Sequence, residues 1–192
     1  MNLINYFEEN PILVAYDVNV FTIYPNNGQS IDWQNIFNVF DLSSVKTAKT
    51  GVLGRVLTTS DEINYETLNQ FLGTQAKIMP LAQGKFVVPN LWFSRFDIGK
   101  CGVRNTMAAD LSILARASFE QNDKIFSNIT LERSNGELTQ FSIRSRLGEN
   151  LLIIGIPNDI FGIKEPKAET IVFMVPRIIR TLKTTKHLQK NL

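Results

Sequence analysis

Between residues 12 and 24 the chain alternates. Val14, Tyr16, Val18, Val20 and Thr22 fall on one face, and Ala15, Asp17, Asn19 and Phe21 on the other. That period of two predicts a β-strand, and the run Pro25, Asn26, Asn27, Gly28 ends it. From Asp32 the spacing changes. Trp33, Ile36, Phe37 and Phe40 recur at i, i+3, i+4 and i+7, which predicts a short amphipathic helix with Asp32 as its N-cap. A second helix is predicted from Ser60. Acids follow at positions 61 and 62, Ile63, Leu68, Phe71 and Leu72 supply the buried face, and Gly73 stands where a left-handed stop is wanted. Residues 47–57 fit neither period. Residues 76–88 read as irregular extended chain, because Pro80 and Pro89 exclude a regular helix there.

The strongest helical signal lies at 107–120. Met107, Leu111, Leu114 and Ser118 share a face, while Ala108, Ala109, Ala115 and Ala117 raise the propensity. Residues 125–156 read as a three-stranded antiparallel meander, with the nearly continuous apolar run from Leu151 to Ile156 as its central strand. The turn at Asn135 and Gly136 can be given a length. A two-residue loop sets Leu131 opposite Gln140, whereas a three-residue loop with Gly136 left-handed sets Ile129 against Phe141 and Arg133 against Glu137. Register follows burial, so the three-residue loop is predicted. Residues 167–188 read as a final helical region with Ile171, Val172, Val175, Ile178, Ile179 and Leu182 as its buried face, kinked or split at Pro176. The predicted fold class is therefore α+β. An antiparallel sheet, including the meander at about 125–156, carries helices packed on it and a basic C-terminal helix.

The length of 192 residues and the absence of repeats or linkers predict a single domain over 1–192, with 177–192 as a basic terminal helix or tail. Arg177, Arg180, Lys183, Lys186 and Lys190 face no acid in that stretch, although the whole chain carries only +2, so residues 1–176 are net acidic. Cys101 is the only cysteine, and the N-terminal residues include Glu8 and Glu9 with no basic stretch. Both features point to a reducing, cytoplasmic (intracellular) setting without a leader. No apolar run approaches the ~20 residues of a membrane-spanning helix.

Acid–base and metal chemistry is sparsely supplied. His187 is the only histidine, which excludes a histidine-based triad or a multi-histidine zinc site. The best carboxylate pattern joins Asp17 to Asp110. The stretch 16–21 resembles the first acidic motif of PIN-type nucleases, and 109–113 is similar to their later Asp-bearing helix. The resemblance implies a Mg²⁺-dependent nuclease using Asp17 and Asp110. With no third or fourth acidic ligand in the pattern, no metal and no cofactor are expected.

A second pattern is the Gly-x-x-Gly of Gly99, Lys100, Cys101 and Gly102, followed by Arg104. With residues 90–96 as a preceding helix and 107–120 as the following one, it resembles the loop of KH modules. The resemblance implies RNA contact through Gly99, Lys100, Gly102 and Arg104, supported by Arg180, Lys183, Lys186 and Lys190 on the terminal helix. Leu91, Trp92 and Phe93 beside Arg95 read as core, with an exposed binding patch or stacking platform as the alternative. Weighed together, these features predict a non-catalytic intracellular interaction or assembly protein that meets a protein partner or itself. RNA binding and a metal-dependent nuclease are the alternatives.

Overall fold

Nine strands and one α-helix make up most of the described chain: β1 (Ile12–Pro25), β2 (Arg55–Thr59), α1 (Tyr65–Gly73), β3 (Ala76–Pro89), β4 (Phe93–Ile98), β5 (Leu111–Glu120), β6 (Lys124–Glu132), β7 (Leu138–Arg146), β8 (Asn150–Ile156) and β9 (Glu169–Arg180). The computed structural model describes residues 12–26, 31–33, 35–36, 55–59, 65–89, 91–98, 111–120, 124–133, 135–156 and 158–180. A five-stranded sheet runs in the order β2-β8-β9-β1-β3, and a four-stranded sheet in the order β4-β5-β6-β7. Every pairing is antiparallel.

The two sheets pack face to face. Val14, Tyr16, Val18 and Val20 of β1, with Phe86 and Val88 of β3, enclose a core with Ile113, Ala115, Ile129, Leu131, Phe141 and Ile143 of the other sheet. The opposite face of the larger sheet is covered as well. Phe21, Ile23, Leu152, Ile154, Ile171 and Phe173 pack under Leu68 and Leu72 of α1 and under Ile31 and Ile36. Double burial explains why 151–154 and 171–174 are apolar at every position, as in any sheet covered on both faces. Full burial of side chains such as Tyr16, Phe21, Phe141 and Phe173 contributes on the order of 1.5–3 kcal/mol each.

Several elements follow their local sequence. β1 has the predicted faces, and Asp32 accepts the Asn35 N–H at 3.0 Å as the predicted N-cap. The β6–β7 hairpin takes the predicted three-residue turn. Ile129 pairs with Phe141, the Arg133 N–H donates to the Glu137 carbonyl at 3.0 Å, and Gly136 has φ +87°.

The predicted α+β fold with helices on a sheet is corrected to a two-sheet β architecture. Residues 111–120, the strongest helical signal, form β5, where Leu111, Ile113, Ala115 and Ala117 alternate into the inter-sheet core. Alanine is a weak local preference, and packing overrides it. Residues 93–98 are a strand as well.

The predicted basic C-terminal helix is a strand over 169–180. Pro176 sits opposite Tyr16 of β1, past Met174, the last residue of β9 paired with β8. There β9 has one neighbour among the described strands, so the missing N–H of proline is tolerated. Residues 76–89 form a regular edge strand whose Pro80 lies beside a register shift opposite Val20 and Phe21. β8 leaves the predicted meander for the other sheet, between β2 and β9. Gly73 has no left-handed φ. The chain beyond α1 is closed instead by the Thr74 hydroxyl, which donates to the Phe71 carbonyl at 2.7 Å.

Candidate functional site

Where β3 hands over to β4, the chain crosses from one sheet to the other. Leu91, Trp92 and Phe93 project into solvent there, at 56, 72 and 63% exposure, next to the part-exposed Val87. The backbone of this corner is fixed. The Leu91 N–H donates to the Ala117 carbonyl at 2.8 Å, the Trp92 N–H to the Pro89 carbonyl at 2.9 Å, and the Ser94 hydroxyl to the Val87 carbonyl at 2.6 Å. Leu91 is the one non-glycine residue with a positive φ, +67°, among the described residues. For a leucine that conformation costs about 1–2 kcal/mol, and it persists only because these bonds impose it. Arg116 lies with its guanidinium 5.5 Å from the centre of the Phe93 ring and props the ring on the outer face of β5. Val87, Leu91, Trp92 and Phe93 thus expose large apolar side chains at one corner, the kind of surface that serves recognition.

The outer face of the same sheet is polar. Arg95 donates to Asp97 at 2.7 Å, to Glu132 at 3.0 Å and to the Ser112 hydroxyl at 2.7 Å. Its pKa is raised, chiefly by the Asp97 hydrogen bond.

A concave feature lies on the helix side of the larger sheet. It is a cleft of about 670 Å³ lined by Asp17, Asn19, Tyr65, Gln83, Lys85 and Arg177, among others. Asp17 is its fixed point, with Lys85 Nζ 2.9 Å from one carboxylate oxygen and Arg177 Nε 2.8 Å from the other. Asp17 is therefore held by two cations, not gathered with other acids. No cluster of metal-ligating side chains occurs among the described residues.

Asp110 lies outside the described residues, but the chain directly after it is β5, not the Asp-bearing helix of the nuclease resemblance. Gly99, Lys100, Cys101, Gly102, Arg104, Lys183, Lys186, His187 and Lys190 also lie outside them, and Arg180 is described only as the end of the β9 backbone. The segments on either side of the Gly-x-x-Gly pattern are strands β4 and β5, so the two-helix frame of a KH loop is absent.

No protein-family model and no curated protein matches the chain. Secretins are among the solved structures it is similar to. The type II secretion system secretin GspD of E. coli K12 aligns over 90% of this chain and 49% of its own, at 10% identity and a TM-score of 0.32. The type II secretin XcpQ of Pseudomonas aeruginosa aligns over 90% and 58%, at 9% identity and a TM-score of 0.30. The type IV competence pilus secretin PilQ of V. cholerae aligns over 88% and 58%, at 9% identity and a TM-score of 0.25. The chain thus spans about half the length of the first two secretins. At such TM-scores the likeness carries no argument for what this chain does.

The expected non-catalytic intracellular assembly protein is corrected on two grounds. Its supports were plentiful apolar surface and a basic terminal helix. The apolar stretches are instead the two-sided core of a sheet, and residues 169–180 are a strand. The intracellular, cytoplasmic placement rested on the single cysteine and the N-terminal composition alone; nothing in the described fold adds to it, and it is not kept. No helix among the described residues is long and apolar enough to cross a membrane.

Leu91, Trp92 and Phe93, expected in the core, are exposed instead. No local signal decides it, because exposure here follows from where two sheets exchange a chain.

Proposed function

We propose that the chain is a protein-binding β-sandwich module whose docking point is the Leu91–Trp92–Phe93 corner. One observation carries this reading: three large apolar side chains are held in solvent by a backbone pinned in a strained conformation. Placing them there costs stability, and burial against a partner recovers it. Trp is the residue type most enriched among the anchors of protein interfaces, and a rigid corner loses little entropy when it docks. The corner is a knob. An indole is buried best in an apolar pocket, and the partner is taken to be a different protein that presents one.

The test installs a photo-crosslinking residue at position 92 of the full chain in the producing cell, with the exposed Lys164 as control position. The protein recovered at 92 is then purified and titrated against the wild-type chain and against the Trp92→Ser/Phe93→Ser variant. One partner specific to position 92, with affinity lowered by roughly tenfold or more in the variant and an unchanged melting temperature, is the expected result. Equal crosslinking from 92 and 164, or equal affinity of the two chains, overturns the reading.

A further inference from the structure

We infer that β7 is a self-pairing edge, and that two copies of the chain join antiparallel through it, with Ser142 opposite Ser142 and the four-stranded sheets continuous across the junction. This interface lies on the opposite edge of the sheet from β4 and the aromatic corner, and it does not depend on the proposed function.

The direction of the backbone groups follows from the hairpin. Arg133 donates to the Glu137 carbonyl, so odd-numbered residues of β7 exchange hydrogen bonds with β6, and even-numbered ones point their N–H and C=O groups to the free edge. Arg146 agrees. Its N–H is taken by the Glu149 carboxylate at 2.8 Å, and its carbonyl by the Glu149 N–H at 3.1 Å. That closes the strand at one end and leaves Leu138, Gln140, Ser142 and Arg144 as an open row.

Among the described residues nothing along β7 blunts this row. The strand has no proline and its pairing with β6 runs without a bulge, in contrast to the β3 edge with Pro80, Pro89 and its register shift. Arg144, the one charge in the row, is drawn back across the sheet, with its guanidinium 5.4 Å from the centre of the Phe126 ring and 3.3 Å from Glu120 of β5.

The register is set by side-chain matching. Centring the pair on Ser142 places Gln140 opposite Arg144 on the solvent face, and Phe141 opposite Ile143 and Thr139 opposite Ser145 on the core face. Centring it on Arg144 instead opposes two arginines, which is unfavourable.

The test uses the full chain. Light scattering on the wild type gives a dimer mass that dissociates on dilution. Ser142→Pro removes the outward N–H at the twofold axis, and an edge strand tolerates proline. It weakens dimerisation by roughly tenfold or more with an unchanged circular dichroism spectrum. In a Cys101→Ser background, Ser142→Cys forms a disulfide-linked dimer on mild oxidation, since residues opposite each other in a hydrogen-bonded antiparallel pair lie about 5.5 Å apart at Cα. Gln140→Cys does not, because its copies are about four residues apart along the strands. A monomeric wild type, or crosslinking at 140 as efficient as at 142, overturns the inference. Loss of dimer in the Trp92→Ser/Phe93→Ser variant also overturns it, because that would place self-association at the corner.

Discussion

Removing one hydroxyl measures what joins the two sheets. Tyr16 of β1 reaches across the core, and its hydroxyl lies 2.7 Å from the Ser127 hydroxyl of β6, with both groups buried. Tyr16→Phe keeps the ring and its stacking on Phe86, at 5.3 Å between centroids, and deletes only the oxygen. The Ser127 hydroxyl is then left buried without this partner, which costs about 1–3 kcal/mol. For a chain of this size that lowers the melting temperature by roughly 3–10 °C. Ser127→Ala leaves the Tyr16 hydroxyl stranded at a similar cost. The double variant removes both ends and strands neither, so its loss falls below the sum of the singles by about 1–2 kcal/mol. Urea unfolding of the four proteins at neutral pH gives the cycle. A Tyr16→Phe variant within about 0.5 kcal/mol of wild type, or a double variant equal to the sum, refutes the account of this bond as a structural tie.

The same residue predicts a pH dependence. Burial pushes the Tyr16 hydroxyl up to about 12, with the Ser127 hydrogen bond acting in the opposite direction. The folded chain therefore holds this proton more tightly than the unfolded chain does. Its stabilising contribution is complete below pH 10 and is lost as pH rises from 10 through about 12, by on the order of 2–3 kcal/mol. Urea unfolding at pH 9, 10.5 and 11.5 should show wild type losing more stability than Tyr16→Phe, and parallel slopes would contradict it. Gly84→Ala should destabilise by about 1–3 kcal/mol, because an added Cβ would lie 2.5 Å from Cε2 of Phe96, a ring stacked on Phe86. Combining it with Phe96→Leu should recover part of that loss, and a single variant that melts with the wild type would show that the ring moves aside freely.

Parts of this protein are set locally and could be read from the chain alone. The alternation of 12–24 makes β1 a strand whatever surrounds it. The Asp32 carboxylate caps a following N–H because a short acidic side chain next to a helical turn has little else to do. The β6–β7 turn takes three residues because any other count turns Phe141 away from the core. The sequence also supplied Asp17, Leu91, Trp92 and Phe93 as residues of interest.

What the tertiary structure decided is which period wins and which surface stays open. Residues 111–120 carry both a helical spacing and a strand alternation. β5 is a strand because β4 and β6 flank it and small alanines at 115 and 117 fit between two sheets. Residues 171–179 looked helical because they are apolar at every position but Arg177, a pattern shared by a buried helix and by a strand covered on both faces. Only the presence of α1 on one side and a second sheet on the other distinguishes them. Pro176 looked like a kink because its tolerance depends on where β8 stops, and that is a property of another segment. The aromatic corner could not be assigned to the surface from its own residues, since the apolar composition of 91–93 is that of a core strand. It is exposed because the chain must leave one sheet there to enter the other, and only the pairing of residues far apart in sequence fixes that crossing.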